Sequence, residues 1–100
     1  MFALEYFKLL DEQFGPFDVD CCAAKDGNNK QPNCKEHWFE DGKNCFDQTW
    51  DGKRIYCNPP WDEEFIEKLF KTFWDARARN PATSAVFVIP RKFVTKLAPA

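Results

Sequence analysis

Glycine is scarce in this chain, and its placement excludes more than its number does. The four glycines, Gly15, Gly27, Gly42 and Gly52, include no Gly-x-Gly spacing. The chain therefore lacks the glycine turn that lets a backbone approach a nucleotide cofactor closely. No run of about 18 apolar residues occurs, so no membrane-spanning helix is expected. The opening Met1-Phe2-Ala3-Leu4-Glu5 has no basic region ahead of its apolar residues and no cleavage-like site, so no secretory signal is expected either. An excess of positive charge is also missing: 14 Lys and Arg against 16 Asp and Glu give a net charge of −2. That balance argues against a domain holding nucleic acid by electrostatics alone. It leaves room for an enzyme that takes such affinity from a neighbouring domain. With no internal repeat and no composition break in 100 residues, one small domain is expected.

Apolar bulk is plentiful. Eleven Phe and four Trp within a 44% hydrophobic chain are enough for a packed core. The cysteines Cys21, Cys22, Cys34, Cys45 and Cys57 are odd in number. Without a secretion signal, the expectation is reduced thiols in an intracellular setting, cytoplasmic or nuclear. Cys34-Lys35-Glu36-His37 has the Cys-x2-His spacing of half a zinc site, but no second half stands out. Cys45 is alone, and the adjacent pair Cys21-Cys22 is a poor chelate. No metal site is expected, and the thiols read as small buried hydrophobes.

Along the chain, Phe2, Tyr6, Leu9, Leu10 and Phe14 fall near a 3.6 period and predict a helix over 2–14, stopped by Gly15-Pro16. Phe17-Asp18-Val19-Asp20 predicts a short strand. Residues 25–53 are polar and rich in turn signals, Gly27-Asn28-Asn29, Gln31-Pro32-Asn33, Asp41-Gly42 and Asp51-Gly52 among them. The aromatics Trp38, Phe39, Phe46 and Trp50 predict that this stretch packs onto the body. Lys53–Cys57 reads as a strand. Residues 62–79 read as an amphipathic helix with the apolar stripe Phe65, Ile66, Leu69, Phe70 and Phe73. Its first turn is acidic and its last carries Arg77 and Arg79, as the helix dipole favours. Ser84–Ile89 is strand-like. A helix between two strands implies a parallel, right-handed crossover. The fold expected is α/β, with ligands outside the carboxyl ends of the strands. Those ends carry Asp20, Asn58-Pro59-Pro60-Trp61 and Pro90-Arg91.

The tetrapeptide Asn58-Pro59-Pro60-Trp61 carries the most chemistry. An exocyclic amino nitrogen is a poor nucleophile because its lone pair is delocalised into the ring. The Asn58 carboxamide oxygen can accept one of its hydrogens, and the Pro59 carbonyl the other. Consecutive prolines hold the backbone in one direction. Trp61 offers a flat face on which a base can stack. A base in a duplex would have to be flipped out to reach such a site. The same dipeptides also mark ordinary turns. Asp20, at the end of its strand, suits either a ribose hydroxyl of a nucleoside cofactor or a helix N-cap.

The ordered set of motifs resembles the phage-type and retroelement-borne DNA N6-adenine methyltransferases. The matching pieces are Phe14-Gly15-Pro16-Phe17-Asp18-Val19-Asp20-Cys21-Cys22-Ala23, Trp50-Asp51-Gly52, Ile55-Tyr56-Cys57-Asn58-Pro59-Pro60-Trp61, and Pro81 to Pro90. The last block is similar to versions embedded in retrotransposon polyproteins. The resemblance implies a partial Rossmann-like fold, S-adenosylmethionine as methyl donor and a flipped adenine in DNA as substrate. It implies that Asn58, Pro59, Pro60 and Trp61 form the catalytic amino-group loop, with Asp20 near the cofactor and Asp47 a further acidic position. Against that pattern residues 1–100 read as a single truncated domain. Two other readings stay open: a non-catalytic remnant of the domain, and an amino-group methyltransferase acting on protein glutamine or on RNA.

Overall fold

In the computed structural model, which describes residues 4–23, 34–39, 42–90 and 92, the chain runs α1 (Leu4–Phe14), β1 (Val19–Asp20), β2 (Glu36–His37), a 3-10 turn (Cys45–Asp47), β3 (Arg54–Cys57), α2 (Glu63–Arg79) and β4 (Ser84–Phe87). The strands form one all-parallel sheet in the order β2-β1-β3-β4. This is a mixed α/β arrangement consistent with a partial Rossmann-like fold. The turn signals at Gly27-Asn28-Asn29, Gln31-Pro32-Asn33 and Asp41, and the strand-end Arg91, lie outside the described residues, as does Phe2. Among the described residues no helix is long and apolar enough to cross a membrane.

Alternation along the strands gives the sheet two buried faces. On one, Val19, Ile55, Cys57, Ala85 and Phe87 pack with Leu69, Phe73 and Ala76 of α2. On the other, Tyr56, Val86 and Val88 meet Phe7 and Leu10 of α1 and the ring of Phe17. Phe7 stands edge-on to Tyr56 with centroids 5.0 Å apart. Each such buried side chain contributes about 1.5–3 kcal/mol relative to exposure.

The helix α2 forms because its buried residues Ile66, Leu69, Phe73 and Ala76 recur at helical spacing and its ends are capped. Asp62 Oδ1 accepts the Phe65 N–H at 2.9 Å, satisfying an amide of the first turn. Asn80-Pro81 ends the helix, since a residue before proline is disfavoured in the helical region.

Two strands, β1 and β4, are two residues shorter than predicted, and a third, β2, is not predicted at all. β1 is only Val19–Asp20, yet its pairing to β3 runs further. Asp18 N–H donates to the Arg54 carbonyl at 2.8 Å and Cys21 N–H to the Tyr56 carbonyl at 3.0 Å. The Asp18 carboxylate accepts the Arg54 N–H at 2.9 Å, which explains an acid at this strand's entrance. β4 stops at Phe87, although Val88 N–H still reaches the Cys57 carbonyl at 2.8 Å. β2 lies inside the polar stretch that reads as irregular. It is fixed by backbone bonds, Glu36 N–H to Asp18 O and Trp38 N–H to Asp20 O, both 3.0 Å. Trp38 and Trp50 pack beneath it with centroids 5.9 Å apart, so the polar stretch is anchored as its aromatics predict.

The motif Trp50-Asp51-Gly52 serves as a clasp at the amino ends of β3 and β4. Gly52 has φ +77° and its N–H donates to Thr83 Oγ1 at 2.7 Å. The Asp51 carboxylate pairs with the Arg79 guanidinium through bonds of 2.8 and 2.9 Å. A Cβ on Gly52 would sit 2.8 Å from Asn80 Nδ2, in a side chain held by its own bond to Ala82 N–H. Gly52→Ala is therefore expected to lower stability by about 1–2 kcal/mol, the usual cost of a left-handed L-residue. Urea midpoints of the two proteins check this.

Candidate active site at the switch point of the sheet

The strand order decides where a ligand can sit. From β1 the chain moves to β2 on one side. From β3 it moves to β4 on the other. The carboxyl ends of the neighbours β1 and β3 are therefore the topological switch point, where open parallel sheets bind their ligands. Asp20-Cys21-Cys22 leaves β1 there, and Asn58-Pro59-Pro60-Trp61 leaves β3. Asp20 is in register with Tyr56, which places it two positions from Asn58 across the strand pair. On its other side it is in register with His37 of β2. Its side chain is fully buried. The residues after it form a turn at Cys21 and Cys22, so Asp20 caps no helix.

Within the loop, Asn58 is half-buried, Pro59 buried, and Pro60 and Trp61 exposed. The two proline carbonyls differ. That of Pro60 accepts the Asp62 N–H at 2.8 Å, whereas that of Pro59 accepts no hydrogen bond among the described residues. Trp61 is 71% exposed, the most open large hydrophobic among the described residues. Beside the loop lies an open cleft of about 490 Å³ lined by Phe46, Pro60, Asp62, Glu64, Phe65 and Lys68. Phe46 and Phe65 meet edge-on at 5.4 Å, and Lys68 Nζ lies 4.2 Å from the Phe46 ring centroid. Asp47 is exposed on the 3-10 turn, next to the Phe46 wall of this cleft and not on a strand end.

A family model described as DNA N-6-adenine-methyltransferase (Dam) matches residues 3–95. The chain belongs to the Dam family. No curated protein and no solved structure matches it. The Dam family generally uses S-adenosylmethionine as its methyl donor. The donor set at the switch point fits a nucleoside of that kind in one respect. A carboxylate stands at the carboxyl end of β1, the place from which open α/β sheets reach a ribose.

The Dam-family fold also brings together groups that lie far apart in sequence. Cys21, Cys22 and Cys57 converge under the switch point, with Cys22 Sγ 3.3 Å from Cys57 Sγ and 3.7 Å from Cys21 Sγ. Hydrogen bonds from the Cys21 and Cys57 thiols lower the Cys22 pKa to about 5, while burial raises those of Cys21 and Cys57. The adjacent pair gains its third member only through the pairing of β1 with β3, which no spacing rule reveals. Cys34 and His37 are not part of this group. Cys34 is buried against Phe7, Phe17 and Tyr56, and His37 sits on β2.

Burial pushes the thiols of Cys34 and Cys45 up to about 12 from 9.0, with nearby Asp20 adding to the first and Cys22 to the second. Both keep their protons in the native state at a pH where the unfolded chain has released them. Stability is therefore expected to fall as pH rises from about 9 toward 12, by about 1.4 kcal/mol per pH unit for each thiol. Urea unfolding at several alkaline pH values checks this, and replacing Cys34 and Cys45 by Ala makes the fall less steep, with the buried Cys21 and Cys57 thiols carrying what remains.

Proposed function

We propose that this domain transfers a methyl group from S-adenosylmethionine to the N6 amino group of adenine in DNA. The observation that carries the reading is the placement of Asn58-Pro59-Pro60-Trp61 at the switch point, with a buried carboxylate, Asp20, at the end of the neighbouring strand. S-adenosylmethionine, when bound, supplies an electrophilic methyl group. Asn58 Oδ1 and the Pro59 carbonyl accept the two amino hydrogens, which draws the nitrogen toward tetrahedral geometry and restores its lone pair for attack. Pro60 contributes rigidity, its own carbonyl being engaged by Asp62. Trp61 stacks on the flipped base, and unstacking that base from the duplex costs a few kcal/mol. Asp20 holds a polar part of the cofactor. Asp47, beside the aromatic cleft, is a secondary acidic contact.

The net charge of −2 supports a domain whose DNA affinity comes largely from elsewhere in a longer assembly. The similarity of Pro81 to Pro90 to retrotransposon-borne versions supports a retroelement source, with a phage-type relative as the alternative. Incubation with radiolabelled S-adenosylmethionine and unmethylated DNA, alongside calorimetric titration of the cofactor, tests the proposal. Label in DNA and saturable cofactor binding are expected. Absence of both would leave a non-catalytic remnant. Label in RNA or on protein glutamine would move the substrate class.

A further inference from the structure

We propose that Cys21, Cys22 and Cys57 form a binding site for a thiophilic d10 cation, Zn2+ or Cu+. The inference rests on the thiol geometry and is independent of the methyl-transfer reading. All three sulfurs lie within 4.8 Å of one another, with separations of 3.3 and 3.7 Å to Cys22. A metal about 2.3 Å from each sulfur in tetrahedral geometry spaces them about 3.8 Å apart. Loading thus asks for shifts of a few tenths of an ångström in that pair of contacts. The set holds no oxygen ligand, which disfavours Ca2+ and Mg2+, and soft thiolates select Cu+ and Zn2+.

The surroundings suit a held ion. The cluster is buried on the α2 side of the sheet with Trp38, Leu69 and Ile55 in the same apolar group. Cys57 ends β3, and the backbone of Cys21 is tied to Tyr56 of the same strand. A metal there would bridge the carboxyl ends of β1 and β3, at positions adjacent in sequence to Asp20 and Asn58. On binding, metal–sulfur bonds form while the S–H bonds of the ligating thiols break and their protons leave to solvent, with no change in oxidation state. Three sulfurs complete a trigonal Cu+ site. Zn2+ has a fourth position to fill, and Cys45 packs in the same cluster.

The test uses the whole chain, reduced and freed of metal by a chelator, then titrated with Zn2+, with Cu+ under anaerobic conditions, and with Cd2+ as a spectroscopic stand-in. Saturation at one ion per chain, a thiolate-to-cadmium charge-transfer band and a higher thermal midpoint are expected. Cys22→Ser and Cys57→Ser should each weaken binding by more than the ~100-fold that outer-shell changes produce, and Cys34→Ser should leave it unchanged. A loss of Zn2+ but not Cu+ affinity in Cys45→Ser would assign the fourth ligand. Should the serine variants not fold, alkylation of the native wild-type protein keeps the test open. The ion must then protect Cys21, Cys22 and Cys57 from the reagent. No saturable binding by the reduced wild-type chain would overturn the proposal. So would binding that survives both cluster variants, or a Cys22–Cys57 disulfide formed in air by a chain with no metal affinity when reduced.

Discussion

Asn58→Ala is expected to lower methyl transfer by about 10²- to 10³-fold, the scale on which removing one preorganised hydrogen-bonding group from a reacting centre acts. The carboxamide stands one residue past β3 at the switch point. In the proposed mechanism truncation would leave one amino hydrogen of the base unaccepted, while the Pro59 carbonyl would still take the other. Because that interaction strengthens as the nitrogen becomes tetrahedral, kcat should fall far more than KM rises. Cofactor affinity should stay near that of the wild type, since the role proposed for Asn58 is toward the base. The fold should persist, because Asn58 is only half-buried and outside the apolar clusters. Single-turnover rates at saturating cofactor and DNA, with circular dichroism of both proteins, measure this. Equal rates would remove Asn58 from the reacting centre.

Trp50→Ala is expected to cost about 3–5 kcal/mol, a large share of the roughly 5–15 kcal/mol that holds a domain folded. Trp50 is 1% exposed. It packs against Trp38 and its indole N–H donates to the Cys45 carbonyl at 2.8 Å. It thereby fastens the polar stretch carrying the 3-10 turn to the sheet. Removing the ring opens a cavity under β2 and frees that turn. Trp50→Phe fills most of the space but removes the indole bond and leaves the Cys45 carbonyl only the 3.4 Å bond from the Gln48 N–H, a loss of about 0.5–1.5 kcal/mol. Urea unfolding of the three proteins should rank wild type above Phe above Ala. A change below about 1 kcal/mol for Ala would contradict the anchoring role.

What could be read from the sequence follows from which signals are local. The helix α2 was legible because Phe65, Ile66, Leu69, Phe70, Phe73 and its acidic first turn are all within one segment, while the role of Asp62 as its cap emerged only from the structure. β3 and β4 were legible as apolar runs flanking it. The loop Asn58 to Trp61 was legible because two prolines after a strand leave few conformations. β2 was not, since Glu36-His37 has no apolar pattern and is placed only by backbone bonds to β1. The switch point depended on β2 in turn, because only the order β2-β1-β3-β4 makes the connections diverge between β1 and β3. The thiol cluster was hidden for a similar reason. Cys22 and Cys57 are 35 residues apart and meet through strand register, while the suggestive spacing of Cys34 and His37 puts one residue into the α1-side core and the other on β2. Asp47, which the resemblance implies as a further acidic position, lies on the 3-10 turn before β3, beside the aromatic cleft.

Adenine N6 methylation is tested most directly by the identity of the product. Unmethylated DNA is incubated with the protein and S-adenosylmethionine, digested to nucleosides and analysed by mass spectrometry. N6-methyl-2′-deoxyadenosine should form with the wild-type chain and fall by about 10²- to 10³-fold with Asn58→Ala. Failure of this nucleoside to form, or equal amounts from both proteins, would contradict the assignment of the Asn58-Pro59-Pro60-Trp61 loop as the adenine-methylating site.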